Sequence, residues 1–315
     1  MNSTPVILDV DTGIDDAFAI LFAARHPSIK LLGVTCVDGN TNVAQVVANT
    51  LQVLDAAGAA DIPVARGAIR PLLGQSQYAE YVHGEGGMGD LGLPPSQRSI
   101  DPRSAIELIR DLVNESKEPV TLVPLAPLTN IALFLRAFPE SAKKLKRIVL
   151  MGGSASAGNA TPAAEFNIWH DPEAAAIVFQ SGIPITMYGL DVFMRPCVSS
   201  DEAAKLSKSS DPCAQFAARL INAFIERIGS PVTLGDYGAV ASVIAPELIT
   251  TERFDVIVDT SAGPARGQTI VDRRPALELE IEPLRLENAA KVDVTLDLDV
   301  EGMRQLWLKT IDPNF

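Results

Sequence analysis

Residues 6–16 have the sequence Val6-Ile7-Leu8-Asp9-Val10-Asp11-Thr12-Gly13-Ile14-Asp15-Asp16. The apolar run over residues 6–10 predicts a buried β-strand, and the apolar positions that follow predict a helix from residue 15 to about residue 25. Gly13 allows the tight turn that joins the two. A strand that leads directly into a helix is the repeating unit of α/β proteins, so this stretch sets the fold class.

The same alternation of strand and helix patterns continues along most of the chain. Further strands are predicted at 30–37, 62–65, 120–125, 147–151, 185–190, 254–259, 268–271 and 290–297. Further helices are predicted at 43–57, 102–114, 128–137, within 200–209, at 212–228, 237–245 and 300–310. Residues 67–98 contain Gly and Pro with little periodicity and are expected to form a long functional loop. We therefore predict one α/β domain over residues 1–315, with an open, mainly parallel, Rossmann-like sheet and helices on both faces.

Composition restricts the partners of this chain of 315 residues, of which 47% are apolar. The formal net charge of −13 argues against nucleic acid and against substrates with several phosphates, and it favours a neutral or cationic small molecule. Cys36, Cys197 and Cys213 lie far apart, which is typical of a reducing compartment and indicates neither a disulfide framework nor a zinc site. The sequence contains no signal-peptide pattern and no membrane-length apolar run, so we expect a cytoplasmic protein without a membrane partner.

Four carboxylates, those of Asp9, Asp11, Asp15 and Asp16, fall within eight residues. Asp9 and Asp11 are two apart and share a face of the strand, whereas Asp15 and Asp16 fall at a helix N-terminus. Carboxylates packed this closely repel one another unless protons or a cation compensate. An all-oxygen site of this kind suits Ca²⁺ or Mg²⁺ better than zinc. Solvated helix caps beside a turn are the simpler alternative.

Blocks along almost the whole chain resemble the inosine–uridine-preferring nucleoside hydrolase family. The blocks are DVDTGIDDA (9–17), CVDGN (36–40), HGEGGMG (83–89), VPLAPLTN (123–130), MGG (151–153), GN (158–159) and AEFN (164–167). This resemblance implies the nucleoside hydrolase fold and the hydrolysis of a ribonucleoside to free base and ribose. It also implies a homodimer or homotetramer.

The resemblance further implies a Ca²⁺ cofactor and a role for each matching residue. Asp11, Asp16, Asp236 and the backbone carbonyl of Leu125 would hold the ion, and Asp11 would be the general base that activates a Ca²⁺-bound water. The residues implied to contact the nucleoside are Asp15, Asn40, Asn159, Glu165 and Asn167, and Asp9 and Met151 would support the site. His83 lies in the long loop, where a contact with the base and a plain loop role are both open.

The chemistry requires these residue types independently of the resemblance. A ribosyl bond breaks through an oxocarbenium-like state, in which positive charge develops on the sugar. A carboxylate-rich pocket stabilises that charge, and amide side chains bind hydroxyls without adding charge. Metal-bound water loses a proton more readily, so a neighbouring carboxylate can accept it near neutral pH.

The chain departs from the family at Gly235, which stands where the family has a histidine that helps to protonate the leaving base. Three routes remain for leaving-group departure: His83, a tyrosine such as Tyr237, or a base that leaves unaided. Residues 224–234 are expected to line the base pocket. The identity of the base stays open.

Two other functions are compatible with the sequence. In a haloacid-dehalogenase-like phosphatase, Asp9 would be the nucleophile and Asp11 the acid–base group, but the order Asp-Thr-Gly and the lack of a suitably placed lysine argue against it. A Ca²⁺- and ribose-binding homologue without turnover is the second alternative.

Overall fold

This computed structural model describes residues 3–79, 82, 84, 86–274 and 287–315. The strands are β1 (Thr4–Val10), β2 (Ile29–Cys36), β3 (Val64–Arg66), β4 (Thr121–Pro124), β5 (Arg147–Met151), β6 (Ile185–Tyr188), β7 (Cys197–Val198), β8 (Val232–Thr233), β9 (Ile249–Val258), β10 (Thr269–Val271) and β11 (Ala290–Leu298). Nine of the described strands form one sheet in the order β10-β9-β11-β6-β5-β4-β1-β2-β3. The seven strands from β11 to β3 are parallel, and β9 and β10 extend the sheet in antiparallel fashion. The predicted α/β fold with a mainly parallel sheet is confirmed.

Helices fill the crossovers between the parallel strands. They are α1 (Ile14–Arg25), α2 (Val43–Ala56), α3 (Ala105–Glu115), α4 (Thr129–Ala137), α5 (Pro139–Ala142), α6 (Phe166–His170), α7 (Pro172–Phe179), α8 (Leu190–Phe193), α9 (Ser200–Leu206), α10 (Pro212–Ile228), α11 (Tyr237–Ile244) and α12 (Val300–Ile311), with a 3₁₀ turn at Pro246–Leu248. In the described ranges, no helix combines the length and the apolar character needed to cross a bilayer.

The sheet separates two apolar cores, and β1 contributes to both. Val6, Leu8 and Val10 belong to the core that α1, α2, α10 and α12 cover, whereas Ile7 belongs to the core that α4 and α7 cover. Alternate residues of a strand point to opposite faces, so an apolar strand without alternation must be buried on both sides. The predicted placement of helices on both faces is confirmed.

Several boundaries differ from those predicted. The strand expected at 254–259 begins at Ile249, because it pairs in antiparallel fashion with β11 as far as Leu298. This pairing holds exposed polar residues such as Thr251 in the sheet, where local apolar pattern alone indicates no strand. The strand expected at 185–190 ends at Tyr188, and the short helix α8 follows. Residues 67–79 and 86–98 contain neither helix nor strand, as expected of a long loop.

Candidate active site

The acidic cluster lies at the carboxyl end of β1, where the chain turns into α1. Asp16 closes this turn: its Oδ2 accepts a hydrogen bond from the amide of Gly13 at 2.8 Å, and its Oδ1 accepts one from the amide of Asp11 at 3.3 Å. Asp9, Asp11 and Asp16 are all fully buried or nearly so. The turn therefore brings the carboxylates together inside the protein, and the alternative of solvated caps is wrong.

Asn40 links two of these carboxylates from the neighbouring strand end. Its backbone amide donates to Oδ2 of Asp11 at 2.7 Å, and its side-chain Nδ2 donates to Oδ2 of Asp16 at 3.2 Å. The preceding residue, Gly39, lies so close to the Asp11 carboxylate that a Cβ there would overlap with it. A glycine at position 39 is therefore required for the backbone to approach Asp11.

Asp9 is fully buried, and it is not among the described residues that line the cavity, so its supporting role stays a prediction. Its Oδ1 accepts hydrogen bonds from Thr35 Oγ1 at 2.5 Å and from Asn130 Nδ2 at 2.8 Å. Asn130 also donates to the carbonyl of Cys36 and accepts from the amide of Ala68, so one amide side chain connects three segments. Burial raises the pKa of Asp9 to about 7, in spite of these two bonds.

Three carboxylates converge closely enough to share one ion. One oxygen from each of Asp15, Asp16 and Asp236 lies within 4.8 Å of the other two. Asp236 comes from the segment before α11, far along the chain, and its position beside the first turn confirms that the two acidic segments meet. Asp11 is not part of this group of three, although its side chain lines the same cavity.

The electrostatics of the cluster are compatible with a bound cation. Burial, followed by repulsion from Asp15, raises the pKa of Asp16 to about 8. Burial and the neighbouring carboxylates also raise the pKa values of Asp11 and Asp236 well above their ordinary range. Among the described residues that line the cavity, none is a lysine or an arginine. Several buried oxygen ligands without a compensating side chain fit a hard divalent cation.

A second polar group comes from the ends of β4 and β5 and from the start of α6. The Glu165 carboxylate caps α6, because it accepts hydrogen bonds from the amides of Asn167 at 2.9 Å and Ile168 at 3.1 Å. The side-chain amide of Asn167 donates to the carbonyls of Leu125 at 2.9 Å and Met151 at 3.2 Å. Burial raises the pKa of Glu165 to about 7, although its amide bonds oppose this shift. These bonds hold Glu165 and Asn167 against the strand ends.

One cavity of about 310 Å³ brings the two groups together. Its polar part consists of Asp11, Asp15, Asn40, Leu125, Asn159, Glu165, Asn167 and Asp236. Its apolar part consists of Ile14, Ala79, Val82, Phe193, Met194, Phe224, Ile228 and Val232. Met151, Phe166 and Thr233 complete the described lining. A cavity with a carboxylate-rich part and an aromatic part suits a small molecule with a polyhydroxylated portion and a flat apolar portion.

Several sequence predictions about the apolar part can be compared with this lining. Residues 224–234 were expected there, and Phe224, Ile228 and Val232 are in place. Phe193 was not predicted; its only indication in the sequence is that it closely follows a strand end. Tyr237 is the wrong residue for a proton donor, because its buried hydroxyl donates to the carbonyl of Met303 at 2.8 Å. His83 lies outside the described residues, so its contact with the base stays a prediction.

Known proteins resemble this chain over nearly its full length. The sequence profile of the family described as "Inosine-uridine preferring nucleoside hydrolase" matches residues 6–305. The pyrimidine-specific ribonucleoside hydrolase RihA of Photobacterium profundum is 43% identical over 277 residues, which are 86% of this chain and 89% of the relative. The non-specific ribonucleoside hydrolase RihC of Salmonella agona is 43% identical over 314 residues, which are 98% of this chain and 97% of the relative.

The fold of a solved relative agrees with the sequence comparison. The plant nucleoside hydrolase PpNRh1 has a TM-score of 0.91 to this structure and 29% identical residues, and the match covers 98% of each chain. We therefore set aside the phosphatase alternative. The chain belongs to the inosine-uridine preferring nucleoside hydrolase family and is a ribonucleoside hydrolase.

Proposed function

We propose that the chain cleaves the N-glycosidic bond of a ribonucleoside with a water molecule that Asp11 deprotonates, and that Ca²⁺ is its cofactor. The observation that carries this proposal is the convergence of buried carboxylates from two distant segments in one cavity that also has an aromatic part. The names of the relatives support a nucleoside substrate, and they cover both pyrimidine-specific and non-specific enzymes.

The proposed ligands of Ca²⁺ are Asp11, Asp16, Asp236 and the backbone carbonyl of Leu125. The mutual distances within 4.8 Å support Asp16 and Asp236, and they favour Asp15 as a further neighbour of the ion. Carboxylate and carbonyl oxygens are the type of ligand that Ca²⁺ prefers. When bound, the ion supplies a Lewis-acidic centre that makes a water molecule easier to deprotonate.

The chain's own residues would then carry the reaction. Asp11, oriented by the backbone amide of Asn40, accepts a proton from the attacking water. The water oxygen forms a bond to C1′ of the ribose while the C1′–N bond breaks, and the electron pair of that bond leaves with the base. The surrounding carboxylates stabilise the positive charge that develops on the sugar in this transition state.

Ribose recognition is assigned to the rest of the polar part. Asp15 and Asn167 would bind ribose hydroxyls, Asn159 and Glu165 the 5′ side, and Asn40 the ribose or the water. In support, the Asn159 Oδ1 accepts a hydrogen bond from the amide of Phe166 at 2.9 Å, which orients its Nδ2 group for a ligand. Hydroxyl groups bound by several fixed polar side chains would hold C1′ beside Asp11.

A panel of ribonucleosides, scored by chromatography for free base and free ribose, tests this proposal. Turnover that disappears with a chelator and returns with Ca²⁺ is the expected result. Binding of nucleoside and Ca²⁺ without product supports the non-catalytic alternative instead. Undiminished turnover after complete removal of metal contradicts the Ca²⁺ assignment. The expected homodimer or homotetramer and the cytoplasmic location belong to the same proposal, and light scattering of the purified protein measures the oligomer.

A further inference from the structure

Another side chain fills the space beside Gly235. A Cβ at this position would lie 2.6 Å from Cζ and 2.8 Å from Cε2 of Phe193. It would also lie 3.1 Å from the Cβ of Asp15, and the backbone φ of +48° is one that L-residues rarely adopt. Phe193 itself is buried, with 8% of its surface exposed. The ring of Phe193 therefore occupies the space into which a side chain at position 235 would project.

Hydrogen bonds fix this arrangement. Thr233 Oγ1 donates to the carbonyl of Phe193 at 2.8 Å and accepts from the amide of Gly235 at 3.1 Å, so one hydroxyl connects the two residues. The ring of Tyr188 occupies the space beside Gly238 in a similar way. Gly235 and Gly238 thus leave space for the rings of Phe193 and Tyr188. This packing keeps Phe193 in the cavity wall.

Titratable and aromatic side chains occupy different parts of the cavity wall. Among the lining residues that the structure describes, every titratable side chain is a carboxylate of the polar part. Three rings, those of Phe166, Phe193 and Phe224, line the cavity. Aromatic faces attract cations, and buried carboxylates attract them at longer range. The described aromatic part of the wall therefore favours a positive charge, and among the described lining residues it contains no histidine, tyrosine or lysine that could protonate a base.

Cleavage of the C1′–N bond leaves an electron pair on the nitrogen of the base. A neutral purine or pyrimidine then becomes an anion unless it receives a proton or a hydrogen bond. If the nitrogen already carries a positive charge, as in an N-ribosylpyridinium, the same electron pair makes the leaving group neutral. The departure of this leaving group needs no acid. The positive charge of such a substrate also suits the carboxylates and the aromatic wall of this cavity.

On the basis of the proposed function, we infer that the substrate class of this cavity is ribosides of cationic aromatic nitrogen heterocycles, with Phe193 as the residue that selects them. The water hydroxyl is added to C1′, its proton goes to Asp11 and then to solvent, and the heterocycle leaves without charge. Each turnover thus consumes one riboside cation and one water, and it produces ribose, neutral heterocycle and one proton.

The test compares four ribosides with the Ca²⁺-loaded full-length protein: nicotinamide riboside, p-nitrophenyl riboside, uridine and inosine. The p-nitrophenyl compound also leaves readily but carries no positive charge. We expect kcat/KM for nicotinamide riboside to exceed the values for uridine and inosine by at least ~100-fold, the lower limit of what a positioned acid contributes. A value for uridine or inosine that equals or exceeds it overturns the inference. Release of base from none of the four compounds contradicts the proposed function itself.

The variant Phe193→Leu tests the selecting role, because leucine keeps apolar volume without an aromatic face. KM for nicotinamide riboside is expected to rise roughly tenfold, and by a clearly larger factor than KM for p-nitrophenyl riboside, because the uncharged ring loses apolar contact but no cation–π attraction. Equal changes for the two compounds overturn the role of Phe193. Phe224→Leu provides a second variant with the same readout, so the comparison remains decisive for the aromatic wall if Phe193→Leu does not fold.

Discussion

The backbone amide of Asn40 donates a hydrogen bond of 2.7 Å to Oδ2 of Asp11, across the ends of the neighbouring strands β1 and β2. A backbone donor fixed by two strand ends orients the carboxylate without depending on a flexible side chain. An asparagine at position 11 can accept the same hydrogen bond, because its side chain also carries an oxygen. The variant Asp11→Asn therefore removes the charge of this side chain but keeps its hydrogen bond to the Asn40 amide.

Asp11→Asn is expected to lower kcat by at least ~100-fold, because the variant cannot accept a proton from water. The protein is expected to fold, since one member of a repulsive cluster becomes neutral. Steady-state kinetics with a cleaved riboside and thermal unfolding measure the two effects. The matched control is Asp61→Asn at an exposed position, for which we expect unchanged values. A folded Asp11→Asn variant within a few-fold of the wild-type kcat excludes Asp11 as the base.

The stability of the metal-free protein is expected to fall as pH rises. Folding raises the pKa of Asp9 and Glu165 to about 7 and that of Asp16 to about 8, so the folded state binds more protons than the unfolded state between about pH 4 and pH 8. The free energy of unfolding therefore decreases across this window. The proposed Ca²⁺ would compete with the protons of its carboxylate ligands, so its stabilising effect is expected to grow with pH.

Thermal unfolding in chelator and in millimolar Ca²⁺, measured from about pH 5 to about pH 8.5, checks this expectation. Tm in chelator should decrease with pH, and the gain from Ca²⁺ should be largest at the alkaline end. Asp16→Asn, which cannot titrate, should show a shallower decrease in chelator. A Tm that rises with pH in the metal-free protein contradicts the assigned protonation states.

Asn130→Leu is expected to destabilise the protein by roughly 2 kcal/mol or more. The change leaves the half-buried amide of Ala68, the buried carbonyl of Cys36 and one buried oxygen of Asp9 without their present partner. An orphaned buried polar group costs about 1–3 kcal/mol. Asn130→Asp should be more harmful at pH 8 than at pH 5, because it adds a carboxylate beside Asp9. Urea unfolding at the two pH values measures both variants. An equal loss of stability for Asn130→Asp at the two pH values would show that Asp9 carries no charge at either pH.

Gly235→Ala is expected to be more destabilising than Gly58→Ala. Both glycines have positive φ values, of +48° and +71°, so both substitutions carry a backbone penalty. No atom lies within 4 Å of a Cβ at Gly58, whereas the ring of Phe193 lies 2.6 Å from a Cβ at Gly235. The difference in the free energy of unfolding therefore measures the steric conflict. Equal losses would show that the Phe193 ring moves aside without cost.

Tyr237→Phe is expected to leave kcat within a few-fold of wild type, because its hydroxyl is directed to Met303 rather than to the cavity. The lost hydrogen bond should lower stability by about 1 kcal/mol. Kinetics with uridine and thermal unfolding measure the two quantities. A large loss of kcat in a stably folded variant would restore Tyr237 as the leaving-group acid.

The sequence by itself determined the features that depend on neighbouring residues. The apolar run from Val6 to Val10 predicted β1, and the four aspartates within residues 9–16 predicted an acidic cluster at the end of that strand. The match of Asp236 to the acidic cluster came from the family resemblance, since no local periodicity connects it to residue 16.

The tertiary structure alone decided which side chains share space across distant segments. The position of the Phe193 ring beside Gly235 and the direction of the Tyr237 hydroxyl depend on how three segments pack against one another. Strand and helix periodicity is a local property of the backbone, so the sequence displays it directly. Packing contacts depend on the close fit of side chains that are far apart in the chain, and no pattern within a short window of sequence contains that information.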